Sequence, residues 1–231
     1  MYQQERNTSP YLIVISGLFI TSLILSNIIA GKLITVAGLV LPGAVILFPI
    51  AYIFGDILTE VYGYGKARIV IWTGFACNLL MVGVFALVIA IPSPEFFASE
   101  SAFATVLGMA PRVVTASLLG YLVGEFTNSI ILSRMKIATK GRWLWTRTIG
   151  STVVGEGLDT VVFITLAFWG VVSLPVLGQM MLAQYLWKVA YEILLTPVTY
   201  AVVGWLKKKE GMDTFDHEVN YNPFRVKTKI S

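Results

Sequence analysis

Six of the chain's 13 acidic residues, Asp56, Glu60, Glu125, Glu156, Asp159 and Glu192, fall inside long apolar runs. An ionised carboxylate at the centre of a bilayer costs about 2.5–3.5 kcal/mol on insertion scales. Such residues must therefore turn inward, toward one another, toward a cation or toward something that binds. Their spacing shows the faces they share. Asp56 with Glu60 and Lys188 with Glu192 are four apart; Glu125 with Asn128 and Glu156 with Asp159 are three apart. Each pair lies on one helix face. The Glu125 face continues backward through Tyr121 and Ser117, so four helices each present one polar stripe. At a rise of about 1.5 Å per residue, Asp56, Glu125, Glu156, Asp159 and Glu192 lie roughly 10 to 21 Å from the basic end of their spans, and Glu60 only about 4 Å from it.

Five carboxylates at similar depth against one deep cation, Lys188, leave a surplus of acceptors, which is costly without protons or a donor-bearing ligand. Pairs of carboxylate oxygens suit an edge with adjacent N–H and NH₂ donors, as a guanine-type base presents, or an ammonium. Tyr52, Phe126, Phe163, Tyr185 and Tyr191 lie within a turn of the stripes and can offer stacking faces. The candidate substrate-binding set is Asp56, Glu125, Asn128, Glu156, Asp159, Lys188, Glu192, Tyr52, Phe163 and Tyr185. Lys188 and Glu192 are expected to orient or gate the site. Arg112, at the outer end of its run, and Glu60 and Arg147, near the inner surface, are assigned structural or gating roles. Two segments, Gly124 to Asn128 and Gly155 to Asp159, share a Gly-Glu-x-x-Asn/Asp pattern that permits close helix approach.

The elements that must carry these stripes are set by composition. Over 231 residues the chain is 56% hydrophobic and 13% charged, with a mean hydropathy of +0.77. That is about half the charge of an ordinary soluble domain, which argues against a soluble enzyme, a nucleic-acid binder and a disordered chain. Six runs are long and apolar enough to span: 11–30, 41–62, 67–91, 111–133, 145–171 and 177–206. Pro197 predicts a kink or a protruding end in the last. The stretch 92–108 is too polar to span, though Phe96, Phe97 and Phe103 suit an interface. Fourteen of the 17 Lys and Arg residues fall on one side if both termini are cytoplasmic. Trp143 and Trp145 then sit at the inner headgroup level. The reading is an all-α integral membrane protein of six helices, with a cytoplasmic N-tail (1–10), a membrane domain (11–206) and a cytoplasmic C-tail (207–231). Nothing resembles a cleaved signal peptide. One cysteine, Cys77, excludes an internal disulfide or a cysteine metal cluster.

An enzyme is disfavoured, since His217 lies in the tail and no nucleophile or metal motif falls in the spans. A channel is disfavoured because the charges do not trace a pore-length track. No cofactor or metal is expected. Partners are a small molecule and the lipid bilayer, without nucleic acid, and a homo-oligomer stays open.

Several of these stretches together resemble the queuosine precursor transporter family, also called the vitamin uptake transporter family. They are Phe48-Pro49-Ile50, Asp56 to Gly63, Arg112 with Ala116 and Ser117, Gly124 to Asn128, Arg147 to Asp159, Lys188 with Tyr191 and Glu192, and Asn220 to Phe224. The resemblance implies a multi-pass bacterial inner-membrane importer of 7-cyano-7-deazaguanine, 7-aminomethyl-7-deazaguanine and queuine for tRNA modification. It also implies a six-helix bundle similar to the substrate-binding subunits of energy-coupling-factor transporters, working without an ATPase module. A subunit that needs partner ATPases is the alternative. Buried carboxylates can also carry a proton, which would couple uptake to a proton gradient.

Overall fold

A computed structural model describes residues 9–30, 32–36, 39–108 and 111–225. Most of the expected N-tail and the last residues of the C-tail, including Arg6, Lys227 and Lys229, lie outside the described residues. Seven helices carry the fold: α1 (Pro10–Ile29), α2 (Phe48–Tyr62), α3 (Tyr64–Ala90), α4 (Glu100–Leu107), α5 (Pro111–Ala138), α6 (Leu144–Phe168) and α7 (Leu174–Glu210). Between α1 and α2 come an antiparallel hairpin, β1 (Leu33–Val36) with β2 (Leu39–Pro42), and a 3₁₀ turn over Gly43–Ile46.

Among the described residues, five helical stretches are long and apolar enough to cross a membrane: α1, α3, a stretch containing α5, α6 and α7. The expected second span, 41–62, is not one helix. Its first part is hairpin and 3₁₀ turn, and α2 has only 15 residues, about 22 Å. The breakers are local. Pro42 ends β2, the Gly43 amide bonds the Lys32 carbonyl at 2.7 Å, and Pro49 stands at the first helical positions of α2. Gly43 also lies so close to Ile29 that an added Cβ would stand 2.8 Å from its carbonyl oxygen. Hairpin pairing satisfies the backbone groups that a helix would otherwise have paired. The stretch 92–108 forms the short exposed α4, with Phe96 88% exposed before it. Pro197 sits inside a continuous α7 of 37 residues, about 55 Å long and so well beyond a hydrocarbon core of about 30 Å.

Burial is inverted relative to a soluble protein. Leu80, Leu87, Leu182 and Leu194 point outward, while Asp56, Glu60, Asn128, Arg147 and Lys188 are buried. That pattern makes lipid the surrounding solvent, and the chain a multi-pass membrane protein. The tightest helix pair is α5 with α6. Its two backbones meet at Gly124 and Gly155: a Cβ on Gly155 would stand 2.9 Å from the Gly124 carbonyl oxygen and 2.8 Å from the Asn128 Cβ. The two Gly-Glu-x-x-Asn/Asp segments thus pack against each other.

One end of the bundle gathers the start of α1 and the ends of α2, α5 and α7. Ser9 bonds Glu210, and Glu60 bonds Arg147 and Lys207. Beyond Gly211 the chain folds back over this end as an ordered strap, residues 212–225, and we call it the tail end. The hairpin marks the opposite end.

Candidate functional site

The four stripes converge into a column of polar groups along the bundle axis. At the hairpin end is a cavity of about 540 Å³, its open mouth included, with Ser26 and Asn27 of α1, Phe48 of α2, Ser117 of α5, Phe163 of α6 and Gln184 of α7 in its wall. Pro42 and Ala44 bring the hairpin and 3₁₀ turn to its rim. Asp159 and Lys188 are the two charged residues lining it, among the described residues.

Lys188 reaches across from α7 to α6. Its Nζ donates to Glu156 Oε2 at 2.6 Å and to Asp159 Oδ2. It lies 4.3 Å from the centre of the Phe48 ring and 6.0 Å from that of Tyr52. Lys188 thus bonds across to α6 and not to Glu192 on its own helix: the long lysine stem spans the gap to two carboxylates that share one face of α6. Tyr52 places its hydroxyl beside α5 and α6. A Cβ on Gly124 would lie 2.5 Å from that oxygen and 2.7 Å from the Asp159 Cβ. Gly124 is thus needed for Tyr52 and Asp159 to sit together.

Next along the column are Glu125, packed against Gly55, then Asp56, whose Oδ1 accepts from Asn128 Nδ2 at 2.6 Å, and the Thr59–Ser129 hydroxyl pair at 3.1 Å. Asp56 Oδ2, Glu125 Oε1, Asn128 Oδ1, Glu192 Oε1 and the Tyr52 hydroxyl are buried with no hydrogen-bond partner among the described residues. Asp56, Glu125 and Glu192 also have no ion pair there.

Glu60 closes the column at the tail end. Fully buried, it takes a bidentate grip from Arg147 (2.8 and 2.7 Å) and a bond from Lys207 at 2.6 Å, with Lys136 at 3.6 Å. Asp213 bridges Lys136 and Lys207 at 2.5 and 2.9 Å. Burial pushes the Asp213 carboxyl up, but the hydrogen bonds from the two lysines outweigh it and hold the group below its ordinary range. Over this network lies the strap. Asp216 Oδ2 accepts from the Tyr64 amide (2.8 Å) and Ser133 Oγ (2.6 Å), while Arg68 donates to the Asn220 and Asn222 carbonyls and Trp72 to that of Pro223. Burial raises the Tyr221 phenol there above its usual value.

Of the residues singled out in the sequence, Asp159, Lys188 and Phe163 line the cavity; Tyr52, Glu125, Asn128, Asp56, Glu156 and Glu192 form the column behind it. Tyr185 is half-buried beside Gly157 and is not among the cavity-lining residues. Arg112 caps the end of α6, donating to the Leu166 and Trp169 carbonyls at 2.6 Å each. Of the polar wall residues, Ser26, Asn27 and Gln184 were not picked out, and Phe48 entered only within a motif of the resemblance. The available signals were a Ser-Asn pair ending an apolar run and a glutamine one turn before Lys188.

Residues 42–202 match the family model described as "Putative vitamin uptake transporter". The chain belongs to the vitamin uptake transporter family. It is 29% identical over 198 residues to the "Probable queuosine precursor transporter" of Bacillus subtilis, covering 84% of this chain and 86% of that one. It is 26% identical to the "Queuosine precursor transporter" of Escherichia coli, covering 53% and 52%, and 24% identical to a "Probable queuosine precursor transporter" of Haemophilus influenzae, covering 68% and 65%. No solved structure matches it.

Proposed function

We propose that this protein imports queuosine precursors, 7-cyano-7-deazaguanine, 7-aminomethyl-7-deazaguanine or queuine, across a bacterial inner membrane for tRNA modification. The observation that carries the reading is the cavity: Phe48 and Phe163 in its wall, neutral polar groups around it, and a carboxylate at its floor. Asp159 accepts an N–H of the deazaguanine through the oxygen that Lys188 leaves free. Gln184 and Asn27, each with a donor and an acceptor, meet the remaining edge, and the aromatic rings offer stacking faces.

The bundle has six crossings when the hairpin, 3₁₀ turn and α2 are counted as one. The tail end faces the cytoplasm, because Lys136, Lys140, Arg142, Arg147 and Lys207 to Lys209 cluster there. The cavity then faces outward, with the column behind it and the Glu60 network closing the inner side. Transport requires this network to part and the cavity to close, in the manner of alternating access. The carboxylates of the column that lack a cation are the candidate proton carriers.

The test is binding and uptake. Purified protein is stabilised against heat by the 7-deazaguanines and not by biotin. Asp159→Asn stays folded and inserted but loses most uptake. Normal uptake in that variant would remove Asp159 from the site.

A further inference from the structure

Lys188 occupies an unusual place for a cation that only holds two helices together. Its ammonium lies at the floor of an accessible cavity, 3% exposed, against two carboxylates and two aromatic rings. Paired carboxylates with ring faces are surroundings that proteins use to hold a ligand ammonium. Beside Asp159 the Tyr52 hydroxyl is buried and has no partner among the described residues, a fixed polar atom left over at the same spot. The other polar residues lining the cavity, Ser26, Asn27, Ser117 and Gln184, are neutral. Among the described residues lining the cavity, Asp159 and Lys188 are therefore the ones that carry charge.

We propose that Glu156, Asp159, Phe48 and Tyr52 form an ammonium subsite that the chain fills with its own Lys188, and that Lys188 thereby sets the charge preference of the cavity. The inference rests on the transport reading above. While Lys188 is in place, it holds one oxygen of each carboxylate and an incoming ammonium meets a like charge, so the cavity takes an uncharged heterocycle. Remove the lysine, and the same box takes a ligand that brings its own ammonium.

The two deazaguanines make the comparison possible, since they share a ring system and differ at one substituent: a neutral cyano group or an aminomethyl group that is an ammonium at neutral pH. Equilibrium binding to the purified full chain is measured for wild type, Lys188→Met and Lys188→Arg. Wild type and Lys188→Arg are expected to favour the cyano compound. In Lys188→Met the ratio of affinities moves toward the aminomethyl compound by tenfold or more, on the order of one charge-assisted hydrogen bond.

A second readout needs no deazaguanine. Lys188→Ala, purified with methylammonium chloride throughout, is stabilised against heat by that ion and not by equal sodium chloride. An equal loss of both deazaguanines in Lys188→Met, or methylammonium acting no better than sodium, would overturn the proposal. If wild type binds neither deazaguanine, the substrate reading fails, and methylammonium rescue alone decides the ammonium subsite.

Discussion

Asp216 is the residue on which the strap's attachment depends. One of its oxygens accepts two buried donors, the first amide of α3 and the Ser133 hydroxyl. The opening amides of a helix have no partner within it, so Asp216 serves α3 as a cap supplied from over 150 residues away. In Asp216→Ala the Tyr64 amide loses its partner where Tyr64 is fully buried, about 2–3 kcal/mol for a hydrogen bond to a charged group. Ser133 keeps the Tyr221 hydroxyl at 2.9 Å, which limits its loss to about 1 kcal/mol. The expected cost is thus about 3–4 kcal/mol, or roughly 10 °C in the unfolding midpoint for a chain of this size. Asp216→Asn keeps an acceptor oxygen and should lose only about 1 kcal/mol. Two measurements on protein in detergent check this: the thermal midpoint, and hydrogen exchange at the Tyr64 amide, which should accelerate strongly in the alanine variant alone. An alanine variant with wild-type midpoint and wild-type exchange at Tyr64 would refute the capping argument.

Arg147→Met should destabilise by about 3 kcal/mol, the low end for breaking a buried pair, because Lys207 still reaches Glu60. Adding Glu60→Gln should recover part of that loss in a double-mutant cycle read by thermal midpoint. Gly155→Ala drives a methyl into the Gly124 carbonyl and Asn128, costing about 1–3 kcal/mol, whereas Gly178→Ala, with open space around it, should be neutral or slightly stabilising. Because Asp213 titrates below its ordinary range when folded, the stability it lends is complete above about pH 4 and is lost as pH falls through its lowered value. The midpoint difference between wild type and Asp213→Asn should accordingly shrink in acid, and a difference that grows there would reverse the sign of the argument.

The inward-facing stripes were legible because a helix repeats its faces every three to four residues: Glu156 with Asp159, and Glu125 with Asn128, can be grouped from spacing alone. Spacing says nothing about which helix faces which, so the crossing of Lys188 to α6 was invisible, and its i,i+4 neighbour Glu192 looked like the natural partner. Apolar length marked six runs, of which five are long apolar helices among the described residues, yet it does not separate a helix from a hairpin followed by a short helix. The signal for the hairpin was the Pro42-Gly43 and Pro49 punctuation within an otherwise span-like run. The cavity wall was hard to read for a different reason. Asn27 and Gln184 are uncharged, and a lone amide among apolar residues carries little warning of its position. The strap was hidden because its partners are largely backbone carbonyls, those of Asn220, Asn222 and Pro223, which any sequence would supply.

Residues 212–225 are synthesised after every helix they fasten. When α2, α3 and α5 have already entered the membrane, Arg68, Trp72, Lys136 and the Tyr64 amide still lack the acceptors that the strap brings. In chain order, the helices therefore come before the acceptors that fasten this end. A chain cut short before the strap would leave the Tyr64 amide, Arg68 and Trp72 without these acceptors. Fourteen residues, 212–225, thus supply a fastening that the helices cannot give themselves.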